Sequence, residues 1–528
     1  LQPTGATAHG PRSEGAALEI ELEFRSLDAD PYTPPDPMHA LRFRSPSHAL
    51  QLAVALLGSG ALLLASCPKE PHHPNVLLVS IDMLRADHVG CYGYARPTTP
   101  ALDRLAREGT RFDEHISSSS WTLPAHAGLF TSLPDALHGV TDTDRALAPD
   151  AHLLAERFQE AGYETAGFFA GPYLHPAFGF GQGFERYENC TSYAAELDGK
   201  PSSAWSMDPK VMRESHEDVT NPTVLSKFTS WFQGRSKKPF FAFVHLWDAH
   251  FDFVPPPPWN TRFDPEYTGK VDGRGFFFDE TIAPGMPKRD LEHLIALYDG
   301  EIGWTDEHVG RICALLQAAS VLDDTIVVVT SDHGTEFFEH GRKGHRQTLY
   351  DEVLRVPFLL RYPGRVPAGA VVRAQTRSID VGPTLLELAG LPAANDVLGE
   401  SLVAALTPNS AFRPQRAVCE LDSVGIHLRA VRTPKWKFID RIQAGAPLFF
   451  DLAKDPGELA PSSDLESELG KRASSAYLEE VQVLDRYYEE HPPRATKSDV
   501  PDDVRRGLRA NGYVGAGDDA GASTPADG

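Results

Sequence analysis

Three short apolar runs, each with an ionisable or hydroxyl side chain at or next to its end, restrict the folds open to this chain more than any other feature. Asn75–Asp82 reads NVLLVSID, Phe240–Leu246 reads FFAFVHL, and Thr325–Thr330 reads TIVVVT immediately before Ser331-Asp332-His333-Gly334. Near-continuous apolar runs of this length predict strands buried on both faces, as in a parallel sheet covered by helices. Pro100–Gly109 (PALDRLAREG) and a stretch near Glu301–Leu316 carry helical patterns between them. The alternation predicts an α/β fold with a large, mainly parallel sheet flanked by helices. Such sheets gather ligands at the carboxyl ends of their strands. Asp82, His245 and Asp332 stand at or just past those ends, so one shared site is expected.

Beyond about residue 400 the texture changes. Ala417–Leu421, His427–Thr433, Trp436–Asp440 and Leu448–Leu452 predict a small antiparallel sheet, followed by a helix around Leu465–Tyr488. We therefore divide the folded part into a catalytic domain (74–400) and a C-terminal α+β subdomain (401–490). The remainder (491–528) is expected to be a tail, disordered over its Gly-, Ala-, Asp- and Ser-rich end.

The amino-terminal region reads as targeting sequence. Residues 1–37 contain no methionine and are expected to be untranslated or a disordered extension. From Met38 come Arg42 and Arg44, an apolar run from Ala49 to Leu64, and then Leu64-Ala65-Ser66-Cys67. The run is short and interrupted by Gln51, Gly58, Ser59 and Gly60, which suits a signal peptide (38–66) better than a membrane span. Leu64–Cys67 resembles a bacterial lipobox. The expectation is an exported protein, lipidated at Cys67, joined by a linker (67–73) and anchored at the bacterial outer membrane on its periplasmic or surface side.

Of 528 residues, 73 are acidic and 50 basic, a net charge of −23. That excludes a nucleic-acid partner, which needs a basic face. The five cysteines are scattered without disulfide or metal-ligand spacing. Cys313, in RICALLQ, reads as core.

The candidate chemistry lies in four segments. Asp82 ends the first strand. Thr122, in SWTLPAH, opens a helix, where amide N–H groups and the dipole favour an anion. Asp332-His333 joins a carboxylate to an imidazole at a strand end, a pairing suited to a metal or substrate. His245 and His250 (HLWDAHFDFVPP) and Lys343 and His345 (GRKGH) are basic groups that could converge on an oxyanion.

NVLLVSIDMLRADHVGCYGY, SSWTLPAHAGLFTS, YDGEIGWTDEHVGR, VVTSDHGTEF, LYDEVLRVPFLLRYPG and FFDLAKDPGE, in that order from about Pro74 to Glu458, resemble the sulfatase family of the alkaline phosphatase superfamily. The resemblance implies that Asp82, Asp332 and His333 hold a divalent cation together with Thr122. It implies that His250 protonates the leaving group and that Lys343 contacts the sulfate, with His245 beside them. Arg85, His126 and His345 are the further groups expected to touch substrate. Thr122 stands where family members carry the Cys or Ser converted to formylglycine, so no formylglycine is expected. Met83 replaces the second acid of an Asp-Asp pair, and His126 replaces the motif arginine. The expected cofactor is one divalent cation, Ca²⁺, Mg²⁺ or Mn²⁺, with Zn²⁺ a further option.

With a single hydroxyl, Thr122 would act as a metal-activated alkoxide. Three readings follow: a hydrolase of small-molecule or glycan sulfate (or phosphate) esters, a phosphoryl or phosphonate transferase or diesterase, and a non-catalytic lipoprotein that binds an anionic glycan.

Overall fold

The structure is a computed structural model that describes residues 72–500, apart from 192–218, 408–411, 424, 443–444, 463, 493–494 and 499. The signal-like segment, Cys67 and the glycine-rich end of the tail lie outside the described residues.

Eight strands form the main sheet, in the order Ala370–Arg377, Thr110–Ile116, Arg355–Arg361, Thr325–Ser331, Asn75–Ile81, Phe240–Leu246, Glu164–Phe169 and Arg186–Asn189. Asn75–Ile81 pairs in parallel with both Phe240–Leu246 and Thr325–Ser331. Arg355–Arg361 is reversed, antiparallel to both of its neighbours. The three runs that began the sequence argument are thus adjacent central strands, and each is buried along its whole length. Their continuous apolar character is explained by two cores. One packs Phe158, Phe241 and Phe358 against one face. The other packs Phe228, Val244 and Tyr298 against the opposite face.

The helix expected near Glu301–Leu316 is the second half of a 31-residue helix, Lys288–Ala318. Its Asp306 carboxylate accepts the Ala101 and Leu102 amides, capping the helix Pro100–Glu108.

The four C-terminal strands form an antiparallel sheet, Ala417–Ser423, Ile426–Arg432, Trp436–Arg441 and Leu448–Asp451, packed against the helix Glu468–Glu490. A buried ion cluster joins this sheet to the main domain. Lys437, with no exposed surface, lies 2.6 Å from Asp351 and 2.8 Å from Glu458, and Arg432 also pairs with Asp351. The region expected to be tail is partly ordered, since Thr496–Lys497 pairs with Arg145–Ala146. Among the described residues no helix is long and apolar enough to cross a membrane.

Candidate active site

The register of the central strands assembles the site. Ser80 is opposite His245, and Ile81 is opposite both Leu246 and Ser331. Asp82 and Asp332 therefore emerge side by side, with His245 two positions lower on the neighbouring strand. Met83, just past Asp82, sits at φ 56°, a left-handed conformation that a side chain rarely adopts. Tyr298 holds it there: its hydroxyl donates to the Met83 carbonyl (2.7 Å) and accepts from the Arg85 amide (3.1 Å). The turn aims the Met83 amide at Asp332 Oδ1 (3.3 Å), while its side chain is buried among apolar groups.

Thr122 is the first residue of the helix Thr122–Thr131, every residue of which is buried. Trp121, in extended conformation, is the N-cap, and no side chain caps this terminus. Thr122 Oγ1 lies 3.2 Å from His333 Nε2 and 3.5 Å from Asp82 Oδ2. The segment leading to it is braced from two sides. Glu420, on the C-terminal sheet, donates its amide to Ser118 O and accepts from Ser119 Oγ. The Arg346 amide donates to Ser120 O, and its guanidinium stacks 3.7 Å from the centre of the Trp121 ring. Nothing in the sequence singled out Trp121 or Arg346. A buried arginine adjoining His345 was the available signal.

The carboxylates are deeply buried and incompletely satisfied. Asp82 Oδ1, Asp332 Oδ2 and His245 Nε2 have no hydrogen-bond partner. Burial pushes the Asp82 carboxyl up to about 6, offset in part by His333 and Thr122. Burial likewise pushes His126 and His245 down to about 4. Four histidines are fixed by the same device, with Nδ1 bonded to a backbone carbonyl: His126 to Thr122 (2.9 Å), His245 to Ala170 (3.0 Å), His250 to Phe251 (2.8 Å) and His333 to Gly334 (2.9 Å). Gly334 itself packs against the segment Glu352–Val353, where a Cβ would lie 2.0 Å from the Glu352 carbonyl.

Asp82, Asp332 and His333 present ligand atoms within 4.8 Å of one another. Two orphaned carboxylate oxygens and an oriented imidazole are a donor set that fits a divalent cation.

The other expected residues divide into two sets. His345 and His250 adjoin the centre: the His345 ring is 4.5 Å from that of His333 and 5.3 Å from that of His250. Three of the expected residues are engaged by other groups of the protein. His126 is wholly buried beneath Thr122, with Nδ1 on Thr122 O (2.9 Å) and Nε2 on Ser80 Oγ (3.0 Å), so it braces the helix from behind and does not line a substrate space. The Arg85 guanidinium is held by Asp87, Glu339 and the Thr335 carbonyl, which occupy its donors away from Thr122. Lys343 Nζ donates to the carbonyls of Asp279 and Ile282 and lies over the Phe276 ring, not among the carboxylates.

Fold and site together define an α/β architecture shared with solved hydrolase structures at 21–24% sequence identity. The family model for sulfatases matches residues 74–391, and one for the C-terminal part of N-sulphoglucosamine sulphohydrolase matches 339–469. The chain belongs to the sulfatase family, enzymes that hydrolyse sulfuric esters.

Among its relatives is an N-acetylglucosamine-6-O-sulfatase of Bacteroides thetaiotaomicron, 25% identical, with 66% of this chain and 74% of that protein aligned. A multifunctional alkaline phosphatase superfamily protein of Trinickia caryophylli is 26% identical, over 73% of this chain and 90% of its own. The crystal structure of a phosphonate monoester hydrolase of Agrobacterium radiobacter superposes with a TM-score of 0.63 at 24% identity, covering 78% of this chain and 95% of that one.

Proposed function

We propose that the chain cleaves a sulfate ester with Thr122 as the nucleophile. The observation that carries this reading is the position of Thr122 Oγ1. It lies at an uncapped helix N-terminus, 3.2 Å from His333 Nε2 and beside two buried carboxylates with unpartnered oxygens. Asp82, Asp332, His333 and Thr122 would hold a divalent cation, which supplies positive charge against the hydroxyl and the substrate's oxyanion. Thr122 Oγ1 loses its proton to water and forms a bond to sulfur as the bond from sulfur to the ester oxygen breaks. His250, oriented by its bond to the Phe251 carbonyl, donates the proton to the leaving oxygen. The helix N-terminus and the His345 ring face the remaining anionic oxygens. Water then releases the acid from Thr122.

A phosphoryl or phosphonate ester is the second reading. It is favoured by the threonine itself, whose single hydroxyl cannot expel sulfate by the aldehyde-hydrate route, and by the likeness to a phosphonate monoester hydrolase. The lipobox-like Leu64–Cys67 supports export and lipid anchoring of the enzyme at the cell envelope.

The test is release of sulfate and of phosphate from paired esters by the native chain and by Thr122→Ala. The reading expects sulfate release that falls at least about 10³-fold in the variant. Equal rates in the two proteins would refute it, and preferential phosphate release would select the second reading.

A further inference from the structure

Resting on that reading, we propose that His245 is a further ligand of the same cation, so that the centre carries two imidazoles and selects a nitrogen-preferring transition ion over Ca²⁺.

His245 is wholly buried, and its Nδ1 is 3.0 Å from the Ala170 carbonyl, an acceptor only. The proton therefore sits on Nδ1, and Nε2 presents a bare lone pair. That atom lies 3.4 Å from Asp82 Oδ2, yet neither Asp82 nor any other protein group forms a hydrogen bond with it. A lone pair facing a carboxylate oxygen inside a dry core is repulsive unless a cation lies between them. Among the described residues Asp82 Oδ1 and Asp332 Oδ2 are likewise without a hydrogen-bond partner, and His245 and Asp332 present ligand atoms within 4.8 Å of each other.

His333 repeats the arrangement from the opposite side. Its Nδ1 is bonded to the Gly334 carbonyl (2.9 Å), and Nε2 faces Asp332 Oδ2 (3.4 Å) and Asp82 Oδ1 (3.7 Å). Both imidazoles thus show the backbone-anchored orientation of metal-binding histidines.

His126, which also shares ligand distances with His245 and Asp332, differs in kind. Both of its nitrogens are already bonded, to Thr122 O and Ser80 Oγ. Met83 contributes no donor, because its side chain is buried in an apolar cluster. The resulting set is two carboxylates, two imidazoles and a hydroxyl. Imidazole nitrogen suits Zn²⁺, Cu²⁺, Fe²⁺ and Ni²⁺, whereas Ca²⁺ takes oxygen.

The experiment loads the metal-stripped native chain with Mn²⁺ and counts coordinated imidazole nitrogens by pulsed electron paramagnetic resonance. Zn²⁺ and Ca²⁺ affinities are measured in parallel by titration of the native chain, His245→Asn, His333→Asn and Asp82→Asn. We expect one ion per chain, two imidazoles in the native protein and one in each histidine variant. His245→Asn should weaken Zn²⁺ binding at least about tenfold and leave Ca²⁺ binding within about threefold. One imidazole in the native chain, lost only in His333→Asn, would overturn the role of His245 while leaving the cation reading intact. Two ions per chain would also overturn it, by assigning His245 to a separate centre with His126. Failure of Asp82→Asn to weaken binding of any ion would overturn the cation reading itself. The count on the native chain decides the matter even where a variant does not fold.

Discussion

Acidification should weaken cation binding, and one carboxyl group, Asp82, sets a definable part of the loss. Burial raises its carboxyl from 3.8 to about 6 in the metal-free protein. A raised acid favours the protonated fold, so its contribution to stability is present below pH 3.8 and is lost as pH rises through about 6. At roughly 1.4 kcal/mol per pKa unit, the metal-free fold loses about 3 kcal/mol across that window. A cation relieves this cost by pairing with the carboxylate. At pH 7.5 the group is already ionised and binding displaces no proton from it. At pH 5, one unit below, most molecules carry the proton, and displacing it costs about 1.4 kcal/mol, or tenfold in affinity. His126 and His245, held near 4, stay neutral at both values and add nothing to the difference. Calorimetric titration with Mn²⁺ at both pH values, in buffers of different ionisation enthalpy, measures the affinity and the protons released. About one proton should be released from Asp82 at pH 5 and none at pH 7.5, and Asp82→Asn should shrink the difference in affinity about tenfold. Equal affinities at the two pH values, or a pH dependence undiminished in Asp82→Asn, would refute this reasoning.

Three further outcomes follow from named contacts. His345→Ala should lower kcat/KM at least about tenfold, because its ring packs on His333, whereas Lys343→Ala should change it less than about threefold; steady-state kinetics decide between them. Lys437→Met leaves the buried Asp351 and Glu458 without their shared cation and should cost about 3–5 kcal/mol in denaturant unfolding. Glu336 is fully buried with both carboxyl oxygens unpartnered, and burial and the neighbouring Glu352 raise it to about 8. The native protein therefore loses stability as pH rises towards 8, and Glu336→Gln should gain about 1–3 kcal/mol relative to it at pH 9, with a smaller gain at pH 6.

The central sheet was legible because its strands are buried on both faces, which leaves the sequence no reason to alternate. The first half of Lys288–Ala318 was not legible, since KRDLEH at its start is charged and exposed and carries no apolar stripe. Within the site, Asp82, Asp332 and His333 could be read because they follow strand ends directly. Lys343 and His345 could not be ranked from the sequence. Gly344, at φ 80°, turns the chain between them, so two residues two positions apart face different surroundings. Arg85 reads as a free cation until Asp87 and Glu339 are seen to occupy it. His126 sits in the arginine position of the family motif, yet its neighbours are a serine hydroxyl and a helix carbonyl, contacts set by packing and not by spacing along the chain.

The most direct test of Thr122 as the nucleophile is peptide mass spectrometry of enzyme quenched during turnover of sulfate and phosphate esters. A covalent sulfate or phosphate on the peptide carrying Thr122, absent from Thr122→Ala together with turnover, is the result this account predicts. Turnover that survives Thr122→Ala, or an adduct on a different residue, would contradict it.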